Sequence, residues 1–406
     1  MGEPLVVVGN GMAATRLVDE LTARAPGRYS ITIIGEEPQL AYNRVLLSSL
    51  LAREVSESEI ELKPRAWWEA RGVELLTGKR VVEIDVKGRF VRLRGGGRVG
   101  YSKLVLATGS EAIRLPLPGA ELSGVLTFRD RADVDAILAR AKARSRAIVI
   151  GGGLLGLEAA AGLNKAGVSV TVVHIMDRLM ERQLDEEAAR LLQSQLEARG
   201  IEVLLNAESS AVQGRRKVGG LRLKDGRCVD AQMVVMAAGI KARAGLARIA
   251  GLDVNRGIVV GDDMQTSAAN IFALGECAEH RGICYGLVEP AYEQARVLAH
   301  NLAGAEARYE GSLLATNLKV SGIPVFSAGD CAGGEASETI VFKDPGRGAY
   351  KKLVVKDGRL TGAVLVGDTE DALWYLELIR SRQELGHLRE SLVFGRAFSE
   401  PMAEAA

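Results

Sequence analysis

A chain of 406 residues exceeds one typical domain and points to two or three. Its 47% apolar and 25% charged residues can form a sizeable core, and 52 basic against 51 acidic side chains leave a formal charge of +1. That balance excludes the clustered basic excess of a nucleic-acid or membrane-surface protein. No apolar stretch reaches the roughly 18 residues of a membrane-spanning helix, and no signal-peptide pattern precedes Leu5, so a cytoplasmic location is expected.

The first element is the apolar β-branched run Leu5-Val6-Val7-Val8, which ends at Gly9-Asn10-Gly11-Met12-Ala13-Ala14. Glycines spaced in this way let a strand turn sharply into a helix. They also let a pyrophosphate approach the amide N–H groups at the helix N-terminus, here with Ala14 in the third glycine position. The next strand, Ile31-Thr32-Ile33-Ile34, leads to Gly35-Glu36. A carboxylate about 20 residues past the glycines can accept hydrogen bonds from a ribose diol; the alternative is a solvated loop glutamate. Tyr42 to Leu50 has a helical pattern entered from a polar turn, and Arg44 within it is either a cofactor-covering guanidinium or a surface arginine. Trp67, Trp68 and Arg71 read as helix packing. Val81–Val86 and Arg89–Leu93 alternate as a hairpin split at Lys87-Gly88. Leu104 to Gly109 is a buried-strand run that stops at a small residue and glycine.

A helical pattern from Ala132 to Arg144 precedes the second strand and turn, Ala147-Ile148-Val149-Ile150-Gly151-Gly152-Gly153-Leu154-Leu155-Gly156-Leu157-Glu158. Here the G-x-G-x-x-G spacing is complete, and two such folds imply two dinucleotides. The following strand, Val168–Val173, ends at His174. An acid there would hold a ribose 2′-hydroxyl and favour NADH, whereas an arginine would favour NADPH. A histidine with Arg178 and Arg182 nearby leaves the choice open, as it leaves open a capping or packing role for His174. Leu184–Arg199 reads as an amphipathic helix, Ile201–Leu205 as a strand, and Asp225-Gly226 as the turn of a polar hairpin.

Met233 to Gly239 is a second buried strand that stops at glycine. Asp262 to Glu276 places a carboxylate after a further buried strand, and Glu289-Pro290 opens a helix with proline in its first turn. After Gly311 the pattern shifts to short strands, including Leu318–Val320 and Lys351–Leu360 with an Asp357-Gly358 turn. The cysteines, Cys228, Cys277, Cys284 and Cys331, contain no C-x-x-C pair or iron–sulfur spacing, so reduced thiols and no metal site are expected.

These residues resemble the FAD- and pyridine-nucleotide-dependent reductases of the glutathione-reductase-like superfamily, the pyridine nucleotide-disulfide oxidoreductases, over nearly the whole chain. Tyr42–Ser48, Gly275–Gly282, Thr316–Gly322 and Lys351–Val355 look like the flavoprotein part of assimilatory nitrite reductase large subunits and nitrate reductase electron-transfer subunits. Rubredoxin and ferredoxin reductases are close relatives. The resemblance implies an α/β fold with two Rossmann-like dinucleotide-binding domains and a small α+β C-terminal domain. FAD would bind residues 1–112 and 240–310, NAD(P)H the inserted residues 113–239, and residues 311–406 would cover the flavin side or a partner surface.

By resemblance, Gly9, Gly11, Glu36, Arg44, Val81, Thr108, Arg129, Glu276 and Glu289 line the FAD, with Glu276 aimed at its ribityl chain. The helix opening at Glu289 would face the flavin. Met12, Ala13, Ser49, Ala107, Gly109, Gly151, Gly153, Leu154, Leu155, Gly156, Glu158, His174, Arg182, Gly239, Gly275 and Val288 complete the candidate cofactor-binding set. Two departures restrict the chemistry. Ala41–Leu51 lacks the redox cysteine of a disulfide reductase, and Ser49 stands where related reductases often place a lysine.

The expected enzyme accepts hydride from NADH or NADPH on FAD and passes electrons to a separate redox protein, with no side-chain acid, base or nucleophile. The first acceptor to consider is the molybdenum-containing catalytic subunit of an assimilatory nitrate reductase; a rubredoxin or ferredoxin is the alternative. Tyr42–Leu50 and the segment from Gly311 onward, including Lys319 and Lys343, would form the partner surface. The chain is not expected to reduce nitrite by itself. A non-enzymatic, NADH-sensing flavoprotein module is the reading from a different class.

Overall fold

The computed structural model describes residues 2–320 and 322–399, the side chains of residues 318–320 excepted. In chain order, the elements that position the sites are β1 (Glu3–Val8), α1 (Met12–Arg24), β2 (Tyr29–Ile34), β3 (Lys103–Leu106), β4 (Arg146–Ile150), α2 (Leu154–Lys165), β5 (Ser169–Val173), α3 (Glu186–Glu197), β6 (Met233–Met236), β7 (Ile271–Ala273) and α4 (Val288–Ala303). The chain forms two compact units. The first comprises residues 1–47, 55–112 and 240–312, and the second residues 48–54, 113–239 and 313–406.

In the first unit β7, β3, β1, β2 and the strand Glu74–Leu76 form a five-stranded sheet in that order, every pair parallel. Strands buried on both faces read as continuous apolar runs rather than alternating ones. Leu5 through Val8 accordingly have 6% exposure or less. Helices α1 and α4 pack together. The expected hairpin is present as Val81–Asp85 against Phe90–Leu93, extended by Arg98–Gly100. Trp68 is fully buried in the Arg65–Glu69 helix, as its amphipathic pattern requires.

The second unit repeats the parallel arrangement, in the order Ile201–Leu204, β5, β4, β6 and Val125–Thr127. A three-stranded antiparallel sheet at residues 209–230 packs beside it, turning at Asp225-Gly226. The helix expected over Ala132–Arg144 is shorter, Arg131–Leu138. Asp130 caps its start, and Arg144 adopts a left-handed φ of 63° that turns the chain into β4. The same unit contains an antiparallel sheet ordered Ala315–Val320, Ile323–Gly329, Arg359–Val366, Ala349–Lys356 and Glu338–Asp344. The helix Ala372–Ser381 shares its core through Trp374, Tyr375 and Leu378.

Asp185 ties this C-terminal sheet to α3. Its carboxylate caps the helix at the Ala188 N–H (2.9 Å), accepts from the Tyr350 hydroxyl (2.8 Å) and pairs with Lys352 (3.3 Å). Lys343, expected at a partner surface, pairs with Glu187 on α3 at 2.5 Å. Lys319 lies in a strand, and its side chain is outside the described residues.

Candidate functional sites at two glycine turns

Parallel strands place their carboxyl ends on one edge, where open α/β sheets bind ligands. In the first unit Gly9, Glu36, Ala107–Gly109 and Gly275-Glu276 all follow such ends. Gly9 has φ +117° and donates its N–H to the Ile34 carbonyl (2.8 Å); a Cβ there would lie 2.0 Å from the Ala107 carbonyl oxygen. Only glycine fits. Gly11 precedes α1, and a Cβ added to it would meet nothing within 4 Å. The space in front of Met12 and Ala13, at the positive end of α1, is therefore open to an anion. Beside it the buried Asn10 Oδ1 has no hydrogen-bond partner among the described residues.

On the far side of this edge, Glu276 accepts a 2.8 Å hydrogen bond from the Ser110 hydroxyl. Gly275, at φ +79°, is fixed by its N–H to Gln294 Oε1 (2.7 Å), a fully buried side chain of α4. Thr108 donates to the Arg243 carbonyl (2.7 Å), and the Arg243 N–H donates to Gly109 (2.9 Å). Val81 is buried at the start of its strand. Val288 and Glu289 occupy the first turn of α4, where Glu289 pairs with Arg296 (3.0 Å).

Glu36 is exposed and pairs with Arg80 (3.1 Å) and Arg243 (3.9 Å). Arg44 is not a free surface arginine. It pairs with Glu37 and lies 5.0 Å from the Tyr42 ring centroid. Burial acts to raise the Glu37 carboxyl, but Arg44 and the Tyr42 hydroxyl at 2.6 Å outweigh it and hold the group below the usual carboxylate range.

The second unit repeats the device. Gly151 has φ +127° and donates to the Val173 carbonyl (2.9 Å), and a Cβ there would lie 2.3 Å from the Ala237 oxygen. Gly153 faces open space ahead of Leu154 and Leu155 in the first turn of α2. Gly156 is obligatory for another reason, since its Cβ would fall 1.9 Å from the Gly151 oxygen. Gly239 (φ +113°) follows β6, and Arg129 follows the edge strand Val125–Thr127. Ser49 belongs to this unit too, in a segment that packs on α2 through Leu51 against Gly162 and Glu54 with Lys165.

His174 is 7% exposed, and both its ring nitrogens are engaged. The Gly152 N–H donates to Nδ1 (3.0 Å), which leaves the ring proton on Nε2, 3.2 Å from Glu181 Oε2. Arg178 is held by Asp177 and the Leu184 carbonyl. Arg182 is exposed, with no hydrogen bond or ion pair among the described residues. Glu158, half-buried on α2, has none either, and burial pushes its carboxyl up to about 7.

Sequence reasoning missed Glu37, Ser110, Glu181 and Gln294. Gln294 left a signal, as a polar residue on the helix face that buries Ala291, Ala295 and Leu298. The others sit in turns or a short strand without a usable period.

The four cysteines are free, and burial raises the thiols of Cys277, Cys284 and Cys331, the last to about 11. Among the described residues no group of three or more His, Cys, Asp or Glu could hold a metal, and no helix is long and apolar enough to cross a membrane.

Residues 315–383 match the rubredoxin NAD+ reductase C-terminal domain. The chain is 46% identical over 382 residues to the NAD(P)H nitrite reductase of Bacillus subtilis (strain 168), covering 94% of this chain and 48% of that protein. It is 42% identical to the assimilatory nitrate reductase electron transfer subunit of the same organism, covering 96% and 51% respectively. It thus spans about half the length of these curated relatives. Among solved structures, a ferredoxin reductase from Rhodopseudomonas palustris superposes with a TM-score of 0.85 at 26% identity, covering 95% of this chain and 98% of that one. The two glycine turns, each on its own parallel sheet, agree with a match over residues 3–297: the chain belongs to the pyridine nucleotide-disulphide oxidoreductase family, whose members bind FAD and NAD(P)H.

Proposed function

We propose that this chain is an FAD-dependent NAD(P)H oxidoreductase that delivers electrons, in the cytoplasm, to the catalytic subunit of an assimilatory nitrate reductase. The observation that carries the reading is the pair of open glycine turns, one in each unit, at Gly9–Gly11 and Gly151–Gly153. FAD belongs at residues 1–112 and 240–310, NAD(P)H at residues 113–239, and the segment 311–406 serves the partner. When bound, the flavin supplies the redox chemistry, taking hydride from the nicotinamide and releasing electrons to a one-electron acceptor.

The protein's part is binding and orientation. Amide groups at Gly11, Met12 and Ala13 receive the FAD pyrophosphate, and those at Gly153, Leu154 and Leu155 receive that of the nicotinamide coenzyme. Glu276, oriented by Ser110, would accept hydrogen bonds from the ribityl hydroxyls, and the first turn of α4 would offer its positive end to the flavin. Glu36 and Arg44 reach this cofactor only by sharing their present partners, Arg80 and Glu37. The elevated thiols support electron transfer without a cysteine relay.

Anaerobic mixing with NADH or NADPH tests the reading. The flavin absorbance should bleach within milliseconds to seconds, ferricyanide should be reduced catalytically, and nitrite should not be consumed. A chain that holds no flavin, or whose flavin neither coenzyme reduces, overturns it. The match of residues 315–383 to a rubredoxin NAD+ reductase domain favours a second acceptor, a rubredoxin or ferredoxin. Parallel rates with that protein and with the nitrate reductase subunit decide between them.

A further inference from the structure

The two glycine turns can be superposed residue by residue through their hydrogen bonds. Gly9 donates to Ile34, and Gly151 donates to Val173. Gly35 therefore corresponds to His174, and Glu36, the acid at the end of its strand, corresponds to Ile175. The second site lacks a carboxylate where one would meet a ribose, and Ile175 is 57% exposed there. His174 cannot substitute for it, because the Gly152 N–H occupies Nδ1 and Glu181 occupies Nε2.

The chain after β5 returns to the turn. The Met180 N–H donates to the Gly152 carbonyl (3.0 Å), and a Cβ on Gly152 would lie 2.7 Å from both the His174 ring and Leu179 Cδ2. Glu181 is thereby fixed one imidazole away from the glycine loop. Its side chain is 25% exposed, and its Oε1 has no hydrogen-bond partner among the described residues.

We propose that Glu181, positioned by His174, is the coenzyme-selecting residue of the second site and makes the chain prefer the 2′-hydroxyl ribose of NADH to the 2′-phosphate of NADPH. This rests on the reading of residues 113–239 as the nicotinamide coenzyme site. The free carboxylate oxygen accepts a ribose hydroxyl, whereas a phosphate of charge about −2 beside the same oxygens is repelled. Arg178 is already bound to Asp177 and Leu184, and Arg182, next in the chain and unpaired among the described residues, opposes the repulsion only in part, so Arg182→Ala should widen the preference. His174 acts through Glu181 and through the loop, since its neutral ring joins the Gly152 amide to the carboxylate.

Calorimetric titration of the flavin-loaded protein with ADP-ribose and 2′-phospho-ADP-ribose tests the assignment in the absence of turnover. Wild type should bind the unphosphorylated ligand about tenfold or more tightly, and Glu181→Gln, which keeps an acceptor for His174 but loses the charge, should shrink that ratio by about tenfold. His174→Asn keeps an acceptor near Gly152 and releases Glu181, so it should give an intermediate ratio. Unchanged flavin spectra and melting temperatures certify the folds. Wild-type preference for the phosphorylated ligand, or an unchanged ratio in Glu181→Gln, overturns the proposal. Failure of wild type to bind either ligand overturns the site reading beneath it.

Discussion

The turns at Gly9 and Gly151 perform one backbone manoeuvre with different side chains. At the first, Asn10 carries the volume and Gly35 makes room for it, since a Cβ on Gly35 would lie 2.7 Å from the Asn10 Cβ. At the second the volumes are exchanged, with Gly152 yielding to the His174 ring. The third position differs as well. Ala14 is buried without conflict, while Gly156 touches the Gly151 carbonyl and admits no Cβ. What both turns share is a first glycine jammed against a neighbouring strand's carbonyl and a middle glycine facing open space. The shared features are those that a pyrophosphate requires, and the exchanged ones determine which groups surround it.

The sharpest way to break the comparison is at the jammed glycines. Gly9→Ala and Gly151→Ala each force a Cβ into a backbone carbonyl at positive φ, a cost of about 2–5 kcal/mol. The first should reduce the flavin-to-protein ratio of the purified chain, and the second should leave flavin bound while weakening ADP-ribose titration. Loss of flavin in both variants would show that the turns are not independent sites. At the third position the asymmetry should appear in thermal melts: Gly156→Ala should be strongly destabilising, whereas Ala14→Gly should cost only about 1 kcal/mol.

Glu276 gives the next effect. Replacing it with alanine strands the Ser110 hydroxyl and removes a charged acceptor, which should weaken FAD retention by about 1–3 kcal/mol. Full flavin occupancy in dialysed Glu276→Ala would show that the carboxylate serves the fold and not the cofactor. In the second unit the strand that matches β7 is Val125–Thr127, and the acid three residues past it, Asp130, caps the helix Arg131–Leu138, so flavin retention should respond to Glu276 and be insensitive to Asp130→Asn.

A further contrast is electrostatic. Arg16 on α1 and Glu158 on α2 stand five residues past their middle glycines. Arg16 pairs with Glu20 and lies 5.6 Å from the Tyr292 ring, while Glu158 has no partner among the described residues. The folded chain raises the Glu158 carboxyl from an ordinary 4.5 to about 7, so it holds that proton more tightly than the unfolded chain does. Its contribution is therefore fully present below pH 4.5 and is lost as pH rises through about 7. Urea unfolding at acid and mildly alkaline pH should show wild type losing on the order of 1–2 kcal/mol relative to Glu158→Gln across that window. Parallel pH profiles for the two proteins would mean that solvent reaches the carboxyl.

Much of this was legible in the chain itself. Leu5–Val8 and Ala147–Ile150 are unbroken apolar runs because both faces of a parallel strand are covered, and the glycine spacing follows from a backbone requirement that no side chain can relieve. The local pattern could not reveal pairings set by distant residues. His174 was read as an open choice because Glu181 lies in an irregular loop, and only the fold shows that both ring nitrogens are engaged. The Ala132–Arg144 pattern overran its helix, which stops at Leu138 and gives way to turns that end at the left-handed Arg144, and periodicity does not encode where such turns begin. Asp185 meets Tyr350 across 165 positions, beyond any local period.

The smallest effect concerns the C-terminal sheet, where Lys343, expected at a partner surface, pairs with Glu187. Both side chains are about half exposed, so the pair is screened and contributes only about 0–1 kcal/mol. Lys343→Glu places two carboxylates together, and a slower reaction with the acceptor could then reflect local repulsion rather than docking. Adding Glu187→Lys restores the pair with its polarity exchanged. If the acceptor rate stays low in the double variant while ferricyanide reduction is unchanged, the position of the positive charge matters to docking. Recovery of the acceptor rate would assign Lys343 to the unit's internal packing, and the acceptor surface would then have to be sought away from the α3 side of the sheet.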